Sequence, residues 1–201
     1  MGSIVEVANL AAVRIGTASR ITSLDDDKTV ARTLKAVWDI ERRATIRDGS
    51  WNFAARRAAL ASVVDPAAVI YPWTYGFEMP AESLRLIEVL GYSRDDYARE
   101  GDVILCDSAG PLYIRYAIDV PELAQWDAAA VQAFAIRLAW RCGRKIAGAA
   151  FDLEACWTEY RATIAAAKRV DAQENPPIST ENEVDSWEAA RLGSWRWDSW
   201  R

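Results

Sequence analysis

Four stretches of the chain place apolar residues along one side of a helix. In each stretch these residues recur at steps of three or four, the period of an amphipathic α-helix. Ser3 followed by Glu6 has the pattern of a capping box, and Gly16 is a typical helix stop. The predicted helices cover residues about 3–15, 25–47, 127–146 and 152–171. The first two should form an antiparallel pair, and the alanines of the last two allow all four to pack as a bundle.

The hydrophobic period changes to alternation between the second and third predicted helices. The prolines that would break a helix there are Pro66, Pro72 and Pro80. Residues 103–106 and 112–118 both have strand patterns, and the turn residues between them predict a β-hairpin. We therefore expect a small antiparallel β insertion over residues about 53–118.

These patterns predict an α+β fold that is mainly a helical bundle. It contains about four long helices, the small antiparallel β insertion and an extended C-terminal arm. Pro176-Pro177 ends the last helical pattern, and the polar residues that follow cannot bury themselves. Residues 1–174 are therefore predicted to form one domain and residues 175–201 the arm.

The composition is typical of a folded globular protein. Of the 201 residues, 51% are apolar and 26% are charged. No stretch approaches about 18 uncharged apolar residues, and the N-terminus lacks a basic start followed by an apolar run, so we expect neither a membrane span nor a secretory signal. Cys106, Cys142 and Cys156 lie in apolar segments without paired short spacing. This arrangement predicts reduced thiols in the core.

The sequence offers no candidate for catalysis. It contains no His, which removes the usual general base, the usual zinc ligand and the partner of Ser and Cys nucleophiles. We interpret Asp25-Asp26-Asp27 as charge at a helix start and not as a metal site. Nothing in the sequence brings Glu82 and Glu88 together as an acid and a base. We therefore expect no enzyme activity, no catalytic residue, no metal and no cofactor.

Tryptophan is the most unusual part of the composition. The chain has ten Trp, and four of them fall in residues 187–201. Because Trp and Arg bury large areas in one rigid piece, both are enriched at interface hot spots. An arm with four exposed Trp would promote aggregation. We expect it to dock on its own domain, on a neighbouring copy or on another protein.

Seven motifs follow one another along the chain. They are Leu10-Ala-Ala-Val-Arg-Ile-Gly16, Ile21-Thr-Ser-Leu-Asp-Asp26, Trp51-Asn-Phe-Ala54 with Arg57-Ala-Ala-Leu-Ala61, Trp73-Thr-Tyr-Gly-Phe-Glu-Met-Pro80, Leu84-Arg-Leu86, Pro111-Leu-Tyr-Ile-Arg-Tyr116 and Ala167-Lys-Arg-Val-Asp-Ala-Gln173. Together they resemble the tail tubular protein A family, the head-to-tail adaptors of short-tailed bacteriophages and related particles. The resemblance covers residues about 4–174.

The resemblance implies a virion structural protein. Family members form a twelve-membered ring beneath the portal, extend the DNA channel and give the tail nozzle or other tail proteins a platform. Residues 1–174 would then be the adaptor domain, located in the virion neck and, before assembly, in the host cytoplasm. The arm would contact the portal protein. The portal contacts that this implies are Trp187, Leu192, Trp195, Trp197 and Trp200.

The ring would also need contacts between its subunits. Candidates for these contacts are Trp51, Phe53, Trp73 and Tyr75, for which core positions are an equal alternative. The net charge of −5 suits a channel in which DNA slides without specific binding.

An alternative function is that of a DNA-binding or packaging-stabilising protein that retains the genome at the portal exit. It would need phosphate contacts from the basic clusters of the chain. Its candidates are Arg42, Arg43, Arg56 and Arg57.

Overall fold

Two helices, six strands and two further helices follow one another in residues 2–49, 51–62 and 71–174, the part of the chain that the computed structural model describes. The helices are α1 (Ile4–Ile15), α2 (Thr29–Asp48), α3 (Ala128–Ala147) and α4 (Leu153–Glu174). The strands are β1 (Ala55–Leu60), β2 (Tyr75–Glu78), β3 (Ser83–Val89), β4 (Tyr97–Glu100), β5 (Val103–Cys106) and β6 (Leu112–Ile118). None of these four helices is long and apolar enough to cross a membrane.

Side-chain caps fix the helix ends that the sequence predicts. The Ser3 hydroxyl accepts a hydrogen bond from the Glu6 backbone N–H at 3.1 Å, and the Glu6 carboxylate accepts one from the Ser3 N–H at 3.3 Å. Gly16 ends α1 with a φ of 84°, a left-handed conformation that favours glycine. The Asp127 carboxylate caps α3 by accepting from the Ala130 N–H at 2.7 Å. The predicted starts of α1 and α3 are confirmed.

Helix α2 begins at Thr29 and not near residue 25 as predicted. The three aspartates before it hold the preceding loop and do not belong to the first helical turn. Asp26 accepts hydrogen bonds from the backbone N–H and the hydroxyl of Thr22, and these bonds lower the pKa of Asp26. The other two aspartates pair with basic side chains of α2. Two ion pairs therefore link the loop to the helix.

Helix α3 is the centre of the helical half. Helices α1, α2 and α4 each pack against it, whereas α1 and α2, predicted as a pair, touch each other little. Small and apolar residues lie around most of its circumference. The buried ones are Ala130, Val131, Ala133, Phe134, Ala135, Ile136, Leu138, Ala139, Cys142 and Gly143. At Gly143 a Cβ atom would lie 2.3 Å from the Phe151 ring, so only glycine fits this contact.

The β region forms two three-stranded antiparallel sheets. In the first sheet β6 lies between β1 and β3, and in the second sheet β5 lies between β2 and β4. The predicted hairpin of residues 103–106 and 112–118 is therefore wrong, because its two strands belong to different sheets. Strand β5 pairs instead with β4 across Gly101-Asp102. The φ of 60° at Gly101 suits such a two-residue hairpin turn.

The fold is a mixture of helices and two complete sheets, so the predicted helical bundle with a small β insertion is wrong. Three helices surround α3 in place of a symmetric four-helix bundle, and the β region has a hydrophobic core of its own. Strands β1 (Ala-Arg-Arg-Ala-Ala-Leu) and β4 (Tyr-Ala-Arg-Glu) carry few large apolar residues. Both strands are held mainly by backbone pairing, β1 with β6 and β4 with β5. A search for alternating apolar residues cannot detect strands of this kind.

Two hydrophobic cores meet at the first sheet. Ala117 of β6 belongs to the core of the helices, while Leu112 and Ile114 of the same strand belong to a second core between the sheets. Phe77 and Ile104 of the second sheet are fully buried in that second core. Because successive side chains of a strand point to opposite faces, β6 joins the helical half to the second sheet.

A polar cluster centred on Arg137 ties α3 to α2 and α4. Arg137 Nε donates to Glu41 Oε2 at 2.7 Å, and Arg137 Nη1 donates to the Tyr160 hydroxyl at 2.9 Å and pairs with Asp48. The Tyr160 hydroxyl donates to Asp48 Oδ2 at 2.9 Å. Arg141 Nε lies 3.3 Å from Glu41 Oε1. Since Glu41 is only 5% exposed, its charge depends on these two guanidinium groups.

Charged side chains also join α2 to the first sheet. Asp119, which follows β6, accepts two hydrogen bonds from Arg42 at 3.0 and 2.7 Å and one from Arg43 at 2.9 Å. Burial alone would raise the pKa of Asp119, but the hydrogen bonds and charges of both arginines outweigh it and lower that pKa. Arg85 of β3 donates to two carbonyl oxygens at the end of α2, at 2.7 and 2.9 Å.

Replacing Arg137 by Met should lower the free energy of unfolding by about 3 kcal/mol, because Glu41 is left as a buried charge whose one remaining partner, Arg141, is exposed to solvent. The matched control is Arg141→Met, which removes an exposed partner of the same carboxylate and should cost less than about 1 kcal/mol. Urea unfolding followed by circular dichroism measures both. Equal losses in the two variants would contradict a special role for Arg137.

Stability at alkaline pH should depend on Tyr160. Burial raises the pKa of Tyr160 to about 12, although Arg137 acts in the opposite direction. The pKa of an unfolded tyrosine is about 10, so the stabilisation by neutral Tyr160 is present below about pH 10 and lost as the pH rises towards about 12. Tyr160→Phe should flatten this loss in unfolding measurements across the pH range. The exposed-residue control Tyr113→Phe should keep the wild-type profile, and an unchanged profile in Tyr160→Phe would refute the assignment.

Candidate interaction groove

An open groove of about 600 Å³ lies where the segment after α2 meets the start of α3 and the end of α4. We refer to it as the groove. Its lining residues are Trp51, Asn52, Phe53, Gln125, Asp127, Ala129, Gln132, Thr163, Ala166, Ala167 and Val170. Most of this lining is apolar, and the volume is in the range of about 300–1,000 Å³ that is typical of binding pockets.

One side of the groove is formed by Trp51 and Phe53, which stack with Trp126 behind them. Phe53 lies between Trp51, at 6.1 Å between ring centroids, and Trp126, at 5.0 Å. Each indole is fixed by its N–H: Trp51 Nε1 donates to the Thr45 carbonyl at 3.0 Å, and Trp126 Nε1 donates to the Val120 carbonyl at 3.0 Å. Both Trp are buried, whereas Phe53 is only partly covered. The stack thus presents a rigid apolar surface to the groove.

The opposite side of the groove is the last part of α4. Thr163, Ala166, Ala167 and Val170 recur at steps of three and four residues, so they share one face of the helix. The Thr163 hydroxyl donates to the Glu159 carbonyl at 2.9 Å and turns its polar atom back to its own helix. Val170 is 54% exposed although it is apolar. This face is small and apolar, and it is open to solvent.

The rim of the groove is polar at the start of α3. Gln125, Asp127 and Gln132 supply amide and carboxylate groups. The Asp127 carboxylate is held by its hydrogen bond from the Ala130 N–H. An apolar floor with a few fixed polar groups at the edge suits the docking of an aromatic or aliphatic side chain.

The structure separates the four predicted subunit contacts. Trp51 and Phe53 come together in the groove, as neighbours in one stack. Trp73 is partly exposed just before β2, and Tyr75 packs against the second core between the sheets. The candidates for portal contact lie outside the described residues. They are Trp187, Leu192, Trp195, Trp197 and Trp200.

Large apolar side chains are also exposed on the outer faces of α1 and α2. Val13 of α1 is 73% exposed and Ile40 of α2 is 69% exposed. Leu10 lies beside Val13 on the outer face of α1, and Ala36 precedes Ile40 by one turn on α2. Each outer helix face therefore offers a small apolar patch to another chain.

The arginines of the alternative DNA-binding function do not form one free basic surface. Arg42 is buried and bonded to Asp119 and Asp39, and Arg43 bonds to the same Asp119. Arg56 donates to two backbone carbonyls near the start of β1. Paired guanidinium groups have fewer donors left for phosphate oxygens.

The acidic and cysteine side chains considered in the sequence analysis are paired or buried in the described residues. They contain no group of three Cys, Asp or Glu residues placed to hold a metal ion. Glu82 accepts a hydrogen bond from the Tyr116 hydroxyl at 3.1 Å, and Glu88 lies 3.8 Å from Arg115. The three cysteines are free and buried, as predicted, and burial raises the pKa of Cys142 to about 11.

Comparison with known proteins does not assign the chain to a family. No protein-family model matches the sequence, and no significant match is found among curated proteins. The resemblance to the tail tubular protein A family therefore stays a prediction. Function has to be inferred from the residues of this chain and their geometry.

Most of the groove is not predicted from the sequence. Ile164 and Ala167 belong to the apolar stripe of the fourth predicted helix, which indicates a face buried in the core. The stripe does not reveal that its last turns are exposed to solvent. Trp126 stands alone before α3 in the sequence, with no period that links it to Phe53. The one usable signal is the small-residue spacing of the last turns of α4, which permits close approach of another chain.

Phe53→Ala should lower the free energy of unfolding by about 2 kcal/mol, because it removes both ring contacts of the stack. The control Tyr71→Ala removes an aromatic ring that is 92% exposed and should change stability by less than about 0.5 kcal/mol. Urea unfolding compares the two. If Phe53→Ala costs no more than the control, the stack does not hold this side of the groove.

Proposed function

We propose that the chain is a non-enzymatic virion structural protein, a head-to-tail adaptor. In this proposal about twelve copies form a ring beneath the portal. The ring extends the DNA channel, and its lower face is the attachment platform for the tail nozzle or other tail proteins. The C-terminal arm reaches the portal protein.

The observation that carries the proposal is the apolar surface on the outside of a well-packed chain. Val13 of α1 and Ile40 of α2 lie on different helices, as the two sides of a subunit in a ring require. In a closed ring each subunit uses one surface towards one neighbour and a different surface towards the other. Apolar patches on several faces are the pattern that such head-to-tail contacts bury.

The sequence motifs support the same proposal. They run from Leu10 to Gln173 and include residues of α1, of α4 and of both sheets. A resemblance of this kind extends along most of the domain and is not one local pattern.

The charge balance is compatible with a DNA conduit. The chain has 29 acidic and 24 basic residues, and Arg42 and Arg43 are neutralised by Asp119 and Asp39. A lumen with net negative charge repels the DNA backbone and keeps it from binding. DNA would thus pass through without specific contacts.

Ring assembly should depend on the exposed apolar side chains of α1 and α2. Val13→Lys and Ile40→Lys place a charge on surfaces that a neighbour would cover, which should prevent the adaptor from forming a large complex with its portal. Both sites are exposed, so the free energy of unfolding should change by less than about 0.5 kcal/mol. Light scattering after size separation measures the mass of the mixture.

The matched control is Ala162→Lys, a substitution at an exposed position of α4 outside the groove lining. It should assemble with the portal as the wild-type protein does. A wild-type protein that stays monomeric in the presence of portal would refute the adaptor function. Assembly by both Lys variants would instead exclude α1 and α2 from the subunit contacts.

A further inference from the structure

We propose that the groove is the docking site of the chain's own C-terminal segment, residues 187–200. Three observations point to this occupant: where the described chain ends, the apolar character of the groove, and the polar groups at its rim. The inference concerns the free chain, in which the segment has no portal protein to contact, so it goes beyond the adaptor function and does not rest on it.

The end of the described chain lies next to the groove. Val170 lines the groove, and α4 ends one turn later at Glu174, a rise of about 6 Å. The segment that contains the four Trp begins at Trp187. The intervening residues can span up to about 40 Å, which is enough for the chain to turn back onto the last turns of α4.

The apolar lining of the groove matches the side chains that the segment carries. Phe53, Ala167 and Val170 offer apolar surface to a rigid aromatic ring. Trp187, Trp195, Trp197 and Trp200 are spaced along a polar background, as anchors of a docked segment would be. Each indole can bury about 150–250 Å², so covering even one or two of them removes a large apolar area from water.

The polar rim can accept hydrogen bonds from the arginines of the segment. Arg191 and Arg196 lie among its Trp residues, and with Glu188 and Asp198 the segment is neutral although the whole chain is negative. The rim presents the Asp127 carboxylate together with the amides of Gln125 and Gln132. An Arg beside a docked Trp could therefore donate to the rim while the indole fills the floor.

The covalent link favours the chain's own segment over a free partner. A tether of this length keeps the segment at an effective concentration near the millimolar range, so even weak contacts suffice for occupancy. A second copy of the chain offers the same chemistry at a far lower concentration. The concentration dependence of docking distinguishes the two sources.

Limited proteolysis with trypsin tests the proposal, since Arg191 and Arg196 are cleavage sites inside the segment. Ala167→Glu places a charge on the groove wall, and Trp187→Ser with Trp200→Ser removes two anchors that do not flank either cleavage site, without altering any residue of the described domain. Both variants should be cleaved at these sites about tenfold faster than the full-length wild-type protein, because docked backbone resists cleavage until it opens. Mass spectrometry identifies the products.

The matched control is Ala162→Glu, an exposed position on the same helix outside the groove lining, which should be cleaved at the wild-type rate. Urea unfolding shows whether the Ala167→Glu protein is folded. If it is not, the double Trp variant alone tests the docking. Cleavage of the Trp variant at the wild-type rate would overturn the proposal, as would equal rates in a folded Ala167→Glu protein. Protection that fades on dilution would also overturn it, because the occupant would then be a second copy.

Discussion

The structure depends on the burial of helix α3 together with the one strong charge that it carries into the interior. The apolar residues of α3 pack against three other helices, and Arg137 neutralises Glu41 of α2 while bonding Tyr160 of α4. A buried carboxylate without a partner would cost several kcal/mol, so these helices are fixed in one arrangement. The groove follows from this arrangement, since its walls are the start of α3, the end of α4 and the segment after α2.

The same constraint explains why so much apolar surface is left on the outside. Once α1, α2 and α4 have turned their buried faces to α3, the apolar residues on their outer faces have no place in the core. Val13, Ile40 and Val170 are such residues, and each is more than half exposed. Surface of this kind is costly for an isolated chain and useful for a subunit of an assembly. Internal packing and outward contacts are thus two uses of the same helices.

The helices could be predicted from the sequence because their causes are local. The Ser3–Glu6 capping box and the left-handed Gly16 lie within the residues that they cap, and the structure has both. The sheets could be predicted only in part, since β1 and β4 depend on partners elsewhere in the chain. The predicted hairpin of β5 and β6 is wrong for the same reason. Each strand has its own alternation of apolar and polar residues, but the two strands pair with other strands in different sheets. The groove joins Phe53, Ala129 and Ala167, and no local pattern relates such distant positions.

Electron cryomicroscopy of the neck of the particle that carries this protein tests the adaptor function most directly. The account predicts a closed ring of about twelve copies between portal and tail, with the outer faces of α1 and α2 in subunit contacts. It also predicts an open lumen through which DNA passes without specific contacts. A neck in which this chain is absent, or in which it grips the DNA through its arginines, would contradict the account.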